Sequence, residues 1–261
     1  MQRGFLLLAG WLSIQALGAQ PADATVDEIL ARVQTNTGQF ESSLPDFVCD
    51  ETIHSQRFDN GVLAREVIAE SHFTGLQRRS GNLSFTETRE FVTINDKPAA
   101  KAGKVRKIPV FGGGFSSILD QTFSAGYAPL HDFKITGRET FNGRAAIGME
   151  FSTKPDQHDL RARWNNKEMI QRDTGKAWID EETRQVMRIE RRYLNLPPEF
   201  SGMVVTVDYG PVSIEGKPFW MPRKVECHQS MKSGSRGEFT AEYRNYRKFD
   251  VASGIVYEPL P

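Results

Sequence analysis

"GKAWIDEETRQVMRIERRY", residues 175–193, decides the fold. Two extended runs flank a polar turn, and on a pleated strand successive side chains point to opposite faces. With residues 181–184 as the loop, an unbulged pair sets Ile179 opposite Val186 and Trp178 opposite Met187. Met187, Ile189 and Tyr193 then continue the Trp178 face, while Arg188, Glu190 and Arg192 fall mostly on the other. One apolar and one charged face is what a half-solvated antiparallel sheet requires. The turn also holds three consecutive acids, Asp180, Glu181 and Glu182. A catalytic carboxylate needs a pKa displaced by burial or by a close partner. Acids on a solvated tip have neither, so this segment reads as a loop between two strands.

The same period of two recurs in both directions from the hairpin. Towards the N-terminus, 46–58, 62–75 and 83–96 are strand-like, with Asn60-Gly61 between the first two as a tight-turn signal and Ser80-Gly81-Asn82 at the next reversal. "FKITGRETF" and "RAAIGMEFST" turn at Asn142-Gly143, and a less regular stretch covers 154–172. Beyond the hairpin, 203–216 and 217–231 turn at Glu215-Gly216, and 237–249 is the last strand. Two stretches have helical spacing instead. In 25–40, Val26, Ile29, Leu30, Val33 and Phe40 share a face, and Thr25 with Glu28 forms a capping box. In 115–126, Phe115, Ile118, Leu119 and Phe123 do the same. The expected fold is α+β, mainly β: a single curved antiparallel sheet, an unclosed barrel of about nine or ten strands, with the helices on its concave face.

The chain has 261 residues, with 33 basic and 33 acidic side chains and 39% apolar residues. That is enough for a core, and the balance gives no overall field for nucleic acid or an anionic membrane. Residues 1–19 read as a secretory signal: Arg3, an apolar run from Phe5 to Leu17, then Gly18 and Ala19. The run is too short and too interrupted for a stable membrane span. Removal of 1–19 leaves one domain, 20–261, periplasmic or secreted. In an exported chain Cys49 and Cys227 are expected as a disulfide closing a loop of roughly 180 residues, worth on the order of 5 kcal/mol. The alternative is two separate buried thiols.

Other constellations lead nowhere chemical. "FGGGF" (111–115) lacks the Gly-Lys-Ser/Thr of a phosphate loop, and Gly112, Gly113 and Gly114 read as a hinge before the second helix. His54, His72, His131, His158 and His228 are scattered without ligand spacing and read as surface or strand residues. No cofactor, metal or catalytic residue is implied. Lys97, Lys101, Lys104, Arg106 and Lys107 form a basic loop suited to anionic lipid or an acidic partner surface, without the interleaved aromatics that nucleic acid calls for.

The "AWIDEETRQVMRIE" segment resembles the Trp-(Ile/Val)-Asp strand, turn and Arg-containing return strand of LolA-type lipoprotein carriers. The order of an exported helix, a meander and an inserted amphipathic helix is similar too. The resemblance implies an unclosed barrel whose apolar concave face is covered by helices and receives acyl chains. The pieces "SLPDFVCDET", "FGGGFSSILDQTFS", "VDYGPVSIEGKPFWMPRKVE" and "YRNYRKF", with the hairpin, also resemble a group of exported proteins from soil acidobacteria to which no activity is attached. The favoured function is therefore a non-enzymatic envelope protein binding a lipid or acyl chain. The candidate site is Phe115, Ile118, Leu119 and Phe123 facing Trp178, Met187 and Ile189. A protein-interaction or envelope-sensor module with a packed core, and a hydrolase assembled from distant residues, are the alternatives.

Overall fold

The structure is a computed structural model that describes residues 24–78, 84–99, 117–158, 161–164 and 167–250. The signal segment 1–19, the hinge Gly112–Gly114, Phe115 and the basic residues Lys101, Lys104, Arg106 and Lys107 lie outside the described residues.

Helix α1 spans Val26–Ser43 and starts as the capping box dictates. The Thr25 amide donates to Glu28 Oε2 at 2.8 Å, and the Glu28 amide donates back to Thr25 Oγ1 at 3.3 Å. Strands β1 (Phe47–Asp59), β2 (Val62–Arg78), β3 (Ser84–Ile94) and the two-residue β4 (Lys97–Pro98) follow as a meander. Helix α2 (Ser117–Phe123) and a 3-10 turn (Ala128–Leu130) come next. Then come β5 (His131–Phe141), β6 (Arg144–Thr153), a short ribbon of β7 (Arg161–Trp164) and β8 (Lys167–Ile170), and β9 (Asp173–Asp180). The last four strands are β10 (Val186–Tyr193), β11 (Phe200–Ile214), β12 (Lys217–Met231) and β13 (Arg236–Lys248). The β7–β8 ribbon is the element that the stretch 154–172 did not reveal.

Among the described residues the main sheet has eleven strands in the order β4-β3-β2-β1-β13-β12-β11-β10-β9-β6-β5, one or two more than expected. It is curved, unclosed and antiparallel. The glycine turns behave as read. Asn60 and Gly61, Asn142 and Gly143, and Glu215 and Gly216 all have positive φ, as a two-residue hairpin needs at both positions. A fourth such turn, Asn95-Asp96, carries no glycine (φ 46° and 61°). Asn95 is fixed there by two bonds to Ile68, its amide to the Ile68 carbonyl and its side-chain oxygen to the Ile68 amide.

The topology explains where α2 must lie. The first and last strands, β1 and β13, pair in the middle of the sheet, so β4 and β5 are its two edges. The chain from Pro98 to His131 must travel from one edge to the other, and α2 sits on that crossover. Ile29 and Val33 of α1 and Ile118, Leu119 and Phe123 of α2 join one buried cluster with Phe47, Ile53, Phe73, Ile147, Phe151, Ile189, Val207 and Tyr243 of the strands. Full burial of each such side chain stabilises the fold by about 1.5–3 kcal/mol.

Two expectations are corrected. In the decisive hairpin Ile179 does pair with Val186, but Trp178 pairs with Arg188, because β10 carries an extra residue, Met187, as a bulge. The slip sets Ala177, Ile179, Ile189 and Arg191 on the inner face and Trp178 with Arg188 on the outer one. Cys49 and Cys227 are free, buried thiols. β13 runs between their strands, with Cys227 opposite Phe239 and Asp50, next to Cys49, opposite Arg244. That offset of five residues is roughly 17 Å along the strand at about 3.3 Å per residue, far beyond the ~7 Å limit for a disulfide. Burial pushes both thiols up, Cys227 to about 11.

Candidate ligand-binding site

The inner face beneath α2 gathers four of the expected residues. Ile118, Leu119, Phe123 and Ile189 are all buried in the shared cluster. Phe123 stacks on Phe133, with centroids 5.6 Å apart, and meets Phe151 edge-on at 6.5 Å. Met187 is buried but outside that cluster. Trp178 lies on the opposite face of β9 from these residues. Its Nε1 donates to Glu139 Oε2 at 3.0 Å, Lys176 Nζ lies 4.7 Å above its ring, and Phe141 packs beside it at 5.7 Å. All of these belong to the outer surface.

What the sequence reading missed is the polar anchor of α2. Arg191, on β10, has no exposed side-chain surface. Its Nε and Nη2 donate to Asp173 Oδ2 at 2.9 and 2.5 Å, and its Nη1 donates to Gln121 Oε1 on α2 at 3.0 Å. Asp173 Oδ1 also accepts from Thr153 Oγ1 at 3.2 Å. The fully buried His131 sets Nε2 3.2 Å from Asp173 Oδ1 and Nδ1 3.1 Å from the Tyr127 carbonyl oxygen. Burial opposes ionisation of Asp173, but His131 and Arg191 outweigh it and hold the carboxyl below its usual value. One network thus joins β5, β6, β9, β10 and the crossover helix.

The local reasons lie in the strand pattern. Arg191 has the same parity as Ile189 and Tyr193, so it points inward into the apolar stripe. The signal was legible as a charged residue on an apolar face. Gly175 lies opposite Arg191. A Cβ there would meet the Glu190 carbonyl oxygen at 2.1 Å and the Phe151 ring at 2.4 Å, so only glycine fits. Next to the network the fully buried Tyr209 hydroxyl faces the Leu119 backbone, and burial pushes its ionisation far up.

His131 opens strand β5, within its expected surface or strand role, but it is buried in the core, whereas His54 and His72 are exposed and pair with Glu66 and Asp50. The turn acids are also not all solvated. Asp180 is 2% exposed. Its Oδ1 accepts from the amides of Glu182 and Thr183 at 3.1 and 2.8 Å and from Thr183 Oγ1 at 2.9 Å, and Arg144 Nε reaches Oδ2 at 2.5 Å. Burial works against the charge, but Arg144 and Thr183 prevail and hold the carboxyl down at about 2. Asp180 is a permanently ionised brace for the turn, which is the opposite of a proton-transfer group. In the other half of the sheet, on the same inner face as Cys49 and Ile53, Glu51 is likewise consumed, accepting from Arg89 Nε at 2.9 and 2.8 Å and from Ser71 Oγ at 2.6 Å.

No protein-family model matches the chain, and no curated protein matches it in sequence. Among solved structures it is similar to a domain described as an outer membrane lipoprotein-sorting protein from Vibrio parahaemolyticus, at 11% identity over 87% of this chain and 94% of that one, with a TM-score of 0.47. It is also similar to a DUF1329 family protein from Desulfovibrio piger (10% identity, 88% and 95% covered, TM-score 0.41). A third is a LolA superfamily protein from Nitrosomonas europaea (10% identity, 87% and 95% covered, TM-score 0.34).

Proposed function

We propose that this chain is an exported, non-enzymatic envelope protein that takes an apolar ligand, a lipid or acyl chain, on the inner face of its curved sheet, with α2 as the cover. The leader read in residues 1–19 supports export, with 20–261 as the binding domain. The observation that carries the ligand reading is the way α2 is held. A seven-residue apolar helix rests on an apolar sheet face, and its polar side is tied by Gln121 to the buried Arg191. Binding rather than catalysis fits the titratable groups, because Asp173, Arg191 and His131 spend their bonds on one another, Glu51 on Arg89 and Ser71, and Asp180 on Arg144 and the turn. Among the described residues no helix is long and apolar enough to cross a membrane.

The test is titration of the delipidated, folded protein with a fluorescent fatty acid. Saturable binding that Leu119→Asp alters, while the β-sheet circular dichroism persists, supports the reading. Failure of the wild-type protein to bind the probe, with Leu119→Ala merely losing about 2–5 kcal/mol of stability, leaves α2 as packed core. A partner-binding module is the second reading. Val62, Leu63 and Ile68 on β2 and Val92 on β3 are large apolar side chains left exposed on that half of the sheet, which favours it.

A further inference from the structure

A second site lies away from α2. Between the start of α1 and the β5–β6 edge there is a cleft of about 300 Å³, lined by Ala24, Ile29, Ile135, Gly137, Arg138, Ile147 and Arg184. None of these residues belongs to α2. Ile29 and Ile147 are almost fully buried and form the floor, and the half-buried Ile135 forms a wall. Arg138, with 55% of its side chain exposed, stands at the mouth. The volume is at the small end of the range for small-molecule sites, and an apolar floor with a few placed polar groups is their usual lining.

Two backbone features build this cleft. β5 carries a bulge between Ile135 and Gly137, where Gly137 has φ 141° and a Cβ would meet open space. A bulge on an edge strand re-aims the residues next to it, and here these are Ile135 and Arg138. On the opposite side Arg184 sits at φ 60°, a left-handed conformation that non-glycine side chains adopt only under constraint. Both guanidiniums are tied to one residue. Arg138 Nε donates to Glu181 Oε1 at 2.6 Å, and Arg184 Nη1 donates to the Glu181 carbonyl oxygen. The β9–β10 turn thus holds two cations at the opening of a pocket floored by isoleucine.

We propose that this cleft binds a single-chain amphiphile with an anionic head, a carboxylate or a phosphate monoester, its chain against Ile29, Ile135 and Ile147 and its head between Arg138 and Arg184. Against the Glu181 carboxylate the two guanidiniums leave one net positive charge at the mouth, and this selects an anionic head, because guanidinium matches carboxylate and phosphate geometry in paired hydrogen bonds. The apolar floor excludes a bare anion as the whole ligand.

The experiment is methyl-detected NMR of the folded mature protein labelled at isoleucine, titrated separately with decanoate, decyl phosphate, decanol and inorganic phosphate. Decanoate and decyl phosphate should saturably move the methyls of Ile29, Ile135 and Ile147. Decanol should bind about tenfold more weakly, the loss expected when one charge-assisted contact is removed. The double variant Arg138→Gln/Arg184→Asn keeps a residue that tolerates the left-handed backbone and should lose about tenfold in decanoate affinity while decanol is unchanged. Ala24→Trp, at the half-exposed mouth, should block both. Equal decanoate affinity in the double variant overturns the proposal, as does saturation by inorganic phosphate alone. Shifts confined to Ile118 and Ile189 would overturn it too, while supporting the α2 site.

Discussion

Nε and Nη2 of Arg191 both donate to one oxygen of Asp173, at 2.9 and 2.5 Å, where neither side chain has any exposed surface. Removing one partner of such a pair strands the other charge in the core, which costs about 3–5 kcal/mol. Arg191→Met is expected to lose that much in urea unfolding. Adding Asp173→Leu should recover part of the loss, because no unpaired charge is then left in the core, although His131, Thr153 and Gln121 each lose one partner. A double variant no better than the single one would mean the loss comes from packing instead.

Gln121→Ala tests the tie to α2 alone. It deletes one hydrogen bond to a charged donor, worth about 1.5–3 kcal/mol, and leaves Arg191 paired with Asp173. Hydrogen exchange of the Ile118–Phe123 amides should speed up while exchange in β9 and β10 is unchanged. Uniform acceleration of all three would show that the helix and sheet open only together.

Asp180 gives the acid dependence a sign. Its folded carboxyl sits at about 2, below the ordinary value of 3.8, so its stabilising effect is complete above about pH 4 and is lost as the pH falls towards 2. Since Arg144 is 48% exposed and screened by water, the effect is about 1–2 kcal/mol. Asp180→Asn should cost that amount at pH 7 and flatten the stability curve between pH 4 and 2. An unchanged acid limb would place the titration elsewhere.

Both thiols should be free. Labelling the denatured, unreduced protein is expected to find two reactive cysteines, and stability should not change with reductant. A protein with no labelled thiol would require a sheet register other than Cys227 opposite Phe239.

Gly175→Ala should destabilise by about 3 kcal/mol, since the new methyl meets backbone and a buried ring that have nowhere to go. Gly126→Ala, with nothing within 4 Å, is the control and should stay within about 0.5 kcal/mol.

The sequence by itself determined the elements of this protein. The capping box at Thr25 and Glu28, the Asn-Gly turns and the period-two runs follow from local backbone chemistry, and each appears where its residues put it. The same reading set α2 as an apolar helix, and Ile118, Leu119, Phe123 and Ile189 do meet. Relationships between strands were decided only by the tertiary structure. One extra residue, Met187, reverses the face of Trp178, and a bulge has no signature in a pattern that counts alternation. The pairing of β1 with β13 places β13 between the two cysteines. Counting residues along the chain could not supply that separation. Arg191, Asp173, His131 and Gln121 come from four different elements, and a buried charge is tolerable only once its partners arrive from elsewhere in the chain. Local propensity fixes what each segment is, whereas the partners of a buried polar group are fixed by register and crossover.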